Sequence, residues 1–184
     1  MAENEGPIMG KRASILGTLG AVWGLAGILA LLLSAVLRLW PLVEDAFSYP
    51  LTWYHRVALL AIALGMAYFE GYKGFQMAFS PRTAARARYL LHNPRPLHVA
   101  LAPLFCMGYV YATKRRRITS ISLTLGIVTL IIMVRFIPQP WRGIIDLGVV
   151  VGLAWGIVSL LAFSIQSLGE DTYPFAPEVP EEGI

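Results

Sequence analysis

Charge is what this sequence has least of: Asp, Glu, Lys and Arg make up 14% of 184 residues, whereas 57% are hydrophobic and the mean hydropathy is +0.62. A chain this short cannot bury so much apolar surface in one soluble core, so the bilayer is its expected solvent. Cysteine is nearly missing as well. Cys106 alone, between Phe105 and Met107, excludes an intramolecular disulfide and a multi-cysteine metal site, and reads as a small buried hydrophobe. The three histidines, His55, His92 and His98, lack the His-x-x-x-His spacing that puts two ligands on one helical face. The sequence contains no phosphate-binding glycine loop, nucleophile elbow, Cys-x-x-Cys, nucleic-acid motif or obvious inverted repeat. No cofactor, metal or nucleic acid is expected, and catalysis is not the favoured reading.

What is present is a series of apolar segments. The expected fold is an all-α integral membrane protein, a bundle of five hydrophobic segments at about 14–37, 55–79, 97–113, 118–135 and 144–166, within one domain covering 13–166. The first follows Lys11 and Arg12 and is too long for a signal-peptide core, so it reads as a retained span. Residues 1–12 read as a disordered lead and 167–184, with Glu170, Asp171, Glu178, Glu181 and Glu182, as an acidic disordered tail. Residues 38–52, with Trp40, Pro41, Tyr49 and Pro50, read as a surface loop, and Pro138, Pro140 and Trp141 as the turn of a hairpin. Ser80-Pro81 has the form of an N-cap followed by proline at the first helical position. It predicts a short amphipathic interfacial helix at 81–92, its arginines turned to the headgroups.

The third segment is the weakest, short and interrupted by Pro103 and Gly108. Five crossings are expected, with four crossings and a re-entrant third segment as the alternative. Basic residues bear on the choice because they favour the cytoplasmic side. Five crossings with the N-terminus inside leave Arg38, Arg56 and the cluster Lys114, Arg115, Arg116 and Arg117 outside; with a re-entrant third segment only Arg38, Arg56, Arg135 and Arg142 lie outside. The expected location is a bacterial inner membrane.

Three sets of residues are candidates for function. Glu70 and Lys73 are three apart in the second segment, where a helix would place them on one face as an intramembrane charge pair. Arg82, Arg86, Arg88 and Arg95, joined by Lys114, Arg115, Arg116 and Arg117, suit anions or lipid headgroups because guanidinium grips phosphate in a bidentate fork. Gly17, Gly20, Gly24 and Gly27 in the first segment, and Gly148, Gly152 and Gly156 in the fifth, form small-residue faces for helix packing, with each other or with another chain. Asp146 lies four residues after Arg142, within reach of an ion pair.

Three functions follow. The first is a non-catalytic accessory or assembly subunit, with a membrane-protein partner or a second copy on the glycine faces and anionic lipid around it. The second is a small transporter or channel for an anion or proton through Glu70 and Lys73. The third is an enzyme or binder of phosphate-bearing lipid at the basic helix.

Overall fold

The computed structural model describes residues 14–170 and 172–180; the expected disordered lead lies outside the described residues. Every regular element among them is helical: α1 (Ile15–Phe47), α2 (Trp53–Met66), a π-helix (Ala67–Phe79), α3 (Ser80–His92), α4 (Pro96–Ala100), α5 (Ala102–Met107), α6 (Lys114–Val134) and α7 (Trp141–Gly169). Three of these, α1, α6 and α7, are long and apolar enough to cross a membrane, with mean hydropathies of 2.2, 2.0 and 2.3 over their most apolar windows.

Helix α1 starts where Ser14 accepts a hydrogen bond from the Gly17 amide at 3.0 Å, a side-chain cap for an otherwise orphaned donor. It does not end at Leu37. The expected loop is helical through Pro41 to Phe47, because these last turns have a partner. Val43 and Ala46 are buried, Gly143 of α7 lies against Leu42 and Ala46, and the Gln139 amide donates to Leu42 O at 3.1 Å and to Asp45 Oδ2 at 2.9 Å. Packing thus outweighs the local cost of the proline.

The second correction concerns Ser80-Pro81. Ser80 has helical angles (φ −61, ψ −47) and its amide bonds Phe75 O, five residues back, so it continues a helical run from Trp53 to His92. The π-turns before Pro81 move the acceptor from i−4 to i−5, which relieves the position that a proline ring would otherwise strike. Nor is α3 laid out with its arginines facing outward. Its Thr83, Ala84, Ala85, Arg86, Ala87 and Leu90 are all buried, and it packs against α1, α5 and α7.

The third expected span is two short helices of five and six residues, parted at Leu101 just before Pro103 and stopped by Gly108 in the left-handed region (φ 88). At about 1.5 Å per residue neither exceeds ~9 Å, far below the ~30 Å of a hydrocarbon core. They tuck beside the start of α1, where Phe105, Cys106, Ala102, Leu25 and Ile28 share a buried cluster with Leu90 and Leu160.

These contacts order the long elements. Gly17 meets Leu91, whereas Gly143 meets Leu42, so α1 runs antiparallel both to the Trp53–His92 rod and to α7. Helix α6 departs from Met107 and Tyr109 at the Arg86 end, through Ser120 Oγ to Met107 O at 2.9 Å, and returns the chain to Trp141 at the other end. It packs extensively against no other helix, and residues 121–133 are exposed without interruption.

Candidate functional site

Glu70 and Lys73 lie in the π-helix, and the structure separates them. The Glu70 carboxyl turns onto α7, where a Cβ on Gly152 would come within 2.7 Å of Oε2; that oxygen is buried and has no hydrogen-bond partner. Lys73 Nζ lies over the rings of Tyr68 (4.9 Å) and Phe69 (5.7 Å). The wider i→i+5 turn rotates residue i+3 off the face that an α-helix would share, so no ion pair joins the two among the described residues. Glycines permit the close approach: Gly71 lies on Trp155 and Gly156 on Phe75, each too near for a side chain. Trp155 Nε1 donates to Gln76 Oε1 at 2.8 Å, on the wall of an apolar groove of about 730 Å³ formed with Val151, Val158 and Phe163.

The basic residues divide into three groups. Arg86 is 1% exposed and donates to five backbone carbonyls: Phe105 O at 2.5 Å, Pro177 O at 2.8 Å, Glu178 O at 3.4 Å, Val110 O at 2.8 Å and Tyr111 O at 3.0 Å. Its guanidinium also stacks 4.4 Å from the Phe105 ring centroid. A cation at the C-terminal carbonyls of α5 favours the dipole of that end, and its fork ties α3, α5, the following loop and the C-terminal segment together. Arg88 does the same for α7, donating to Ser167 O at 2.6 Å and to Glu170 O, while Ser167 Oγ donates to Ala84 O at 2.9 Å. These two arginines are therefore committed to protein carbonyls.

Arg82 and Arg116 converge instead on Glu178, at 3.9 and 3.7 Å. With Arg115, Thr113 and Thr119 they line a polar cleft of about 270 Å³. Lys114, Arg117 and Arg95 are exposed, Arg95 over the Tyr111 ring at 5.4 Å. Arg142 Nε stands 3.7 Å from Asp146 Oδ2, as the four-residue spacing allows.

Residues 167–169, expected in the tail, form the last turn of α7, and residues 172–180 lie along the Arg86 end. Tyr173 donates to Pro81 O at 3.0 Å; burial, and secondarily Glu170, pushes its phenol up to about 12. His98 stacks on Phe105 (5.1 Å) and lies tilted against Tyr111 (4.7 Å), and burial, then Arg95 and Arg86, lowers its pKa below the ordinary 6.5. The role of Arg86 was missed because a helical wheel shows where an arginine points and not which carbonyls lie there. The signal available was its setting among Thr83, Ala84, Ala85 and Ala87, small residues that let neighbours crowd all sides of α3.

The glycine faces are used inside the chain, but not against each other. Gly20, Gly24 and Gly27 receive Leu90, Val99, Cys106 and Pro103; Gly148 and Gly152 receive Ile62, Met66 and Glu70. No protein-family model matches the chain, and neither a curated protein nor a solved structure matches it.

Proposed function

We propose that this is a multi-pass membrane protein of four crossings that acts as a non-catalytic accessory subunit, receiving a partner's apolar transmembrane helix along α6. The crossings are α1, the rod from Trp53 into the π-helix, α6 and α7, with α4 and α5 on the side where α1 begins and α7 ends. That side collects Arg82, Arg86, Arg88, Arg95 and Lys114 to Arg117, which favours it as the cytoplasmic one. The observation that carries the reading is the uninterrupted exposure of residues 121–133 on α6. Helices in lipid associate by close packing and not by the hydrophobic effect, and α6 is the long helix whose packing is not met within the chain. The glycine faces on which a partner was expected are already filled.

The test is a photo-crosslinking residue placed at Leu125 or Ile132, with recovery in mild detergent. Capture of a stoichiometric membrane-protein partner is expected, and crosslinks to lipid alone at both positions would reject the reading. Location in a bacterial inner membrane belongs to the same proposal, and fractionation of the membranes checks it.

A second reading, a proton or anion path, is favoured by one observation: the unpartnered Glu70 Oε2 in a π-helix, a form rare enough to mark functional positions. Flux in liposomes that disappears in Glu70→Gln would support it, and the absence of flux in the wild type would remove it.

A further inference from the structure

The cleft where α3 meets the start of α6 has a composition its present occupant does not match. Arg82, Arg115 and Arg116 bring three guanidinium groups to its walls, Thr113 and Thr119 bring two hydroxyls, and Glu178 is the acid among the lining residues. Arg116 is 7% exposed, and its Nε is buried without a hydrogen-bond partner. Glu178 reaches it only at 3.7 Å and reaches Arg82 at 3.9 Å, one carboxylate oxygen toward each. Both distances exceed hydrogen-bond length, so the carboxylate neutralises the cleft without satisfying its donors. A phosphate group, with more oxygens and greater charge, can meet two guanidinium groups and a hydroxyl at once.

Glu178 is also held in an uncommon way. Its backbone is left-handed (φ 49), and its carbonyl accepts from the Thr113 amide at 3.1 Å and from Arg86 Nη1 at 3.4 Å. The main chain is thus anchored independently of the side chain, which is free to leave the cleft while the segment stays in place.

We propose that this cleft binds a phosphate-bearing anion, and that the Glu178 carboxylate is a tethered competitor which the phosphate displaces. Free phosphate and a lipid phosphate headgroup share the necessary chemistry. Arg82, Arg115 and Arg116 contact the phosphate oxygens, with Thr113 as a secondary donor, since the Thr119 hydroxyl already donates to Arg115 O at 3.0 Å. Arg86 takes no part, since its three nitrogens are engaged by carbonyls, and Arg88 does not line the cleft.

The experiment uses the full chain in detergent and reads binding of inorganic phosphate by calorimetry, with sodium chloride at matched ionic strength as control. Glu178→Gln keeps the side-chain size and the backbone bonds and removes the competing charge. It is expected to bind phosphate roughly three- to tenfold more tightly than the wild type, as removal of two loose ion pairs implies. Arg115→Gln, at an exposed position, is expected to weaken binding in both backgrounds. A gain of affinity cannot result from misfolding, so the Glu178 variant keeps the test decisive even if Arg116 variants fail to fold. Unchanged or weaker binding in Glu178→Gln, or an equal response to chloride, overturns the proposal. In nanodiscs, discrimination of phosphatidic acid from phosphatidylserine identifies the lipid headgroup as the source, whereas phosphate binding unaffected by either lipid identifies the free anion.

Discussion

Helices α7 and α6 are nearly equal in hydropathy and opposite in situation. On α7 a Cβ at Gly143, Gly148, Gly152 or Gly156 would lie 2.3 to 2.7 Å from a neighbouring atom, whereas Gly126 in the middle of α6 has nothing within 4 Å. Both helices are apolar enough to cross a membrane, so hydropathy does not distinguish them. The difference lies in packing. In lipid an apolar side chain gains little by leaving one hydrocarbon for another, and association depends on how closely backbones can approach. Helix α7 has that approach on the faces toward α1 and the rod; α6 is pinned at the Arg86 end by Arg116 and Ser120 and then stands apart.

The comparison breaks most severely at Arg86, which holds the closed end of the packed half together. Arg86→Met keeps most of the volume but takes a donor from five carbonyls and leaves those of Val110, Tyr111 and Pro177 without the guanidinium while Phe105 O and Glu178 O keep a backbone amide, and a loss of about 3 kcal/mol is expected, enough to scatter the protein in size-exclusion chromatography. Arg86→Lys, a point charge without the fork, should recover part of that loss.

A matched pair of glycine substitutions sharpens it. Gly143→Ala drives a methyl to within 2.6 Å of the Leu42 carbonyl, a backbone atom that cannot swing aside, and is expected to cost about 1–3 kcal/mol in thermal unfolding in detergent. Gly126→Ala meets open space and gains helix propensity, so a change within about 0.5 kcal/mol, or a slight gain, is expected. Equal losses at both positions would mean that α6 packs against the bundle.

The smallest effect is that of pH at the closed end. His98 has a lowered pKa in the folded state, so the unfolded chain binds its proton more readily; its contribution is present above about 6.5 and is lost as pH falls below that value. The groups facing it are Arg95, Arg86, Phe105 and Tyr111. Melting of the wild type should fall more between pH 7.5 and about pH 5.5 than melting of His98→Gln. The interval between Gly143→Ala and Gly126→Ala should not change with pH, since neither position adjoins the histidine.

Much of the helical content was legible from local pattern. The breaks at Pro103 and Gly108 act in the structure as their chemistry predicts, because each sets backbone geometry within a few residues, and Pro138–Pro140 separates α6 from α7 although the two helices do not pack as the expected hairpin. Pro41 and Ser80-Pro81 carried equally clear local signals and were overruled, the first by Gly143 and Gln139 reaching over from α7, the second by π-turns that carry the helix through. The candidate site was legible only as a roster. Glu70, Lys73 and the eight basic residues stood out by type, but a spacing rule assuming an α-helix paired the wrong two groups, and a charge count could not separate Arg86 and Arg88 from Arg82, Arg115 and Arg116.

The amino-acid sequence by itself determined that this chain forms helices long and apolar enough to cross a membrane, and roughly where three of them lie, since composition and breakers act locally and need no partner. Only the tertiary structure decided which small faces are filled, that Glu70 lies against Gly152 instead of Lys73, that Arg86 is a carbonyl hub and Glu178 the occupant of a basic cleft, and that α6 packs extensively against no other helix. Each of these depends on groups far apart in the chain, such as residues 86 and 177 or 70 and 152. No periodicity encodes such distances, because they are set by how whole helices fit together.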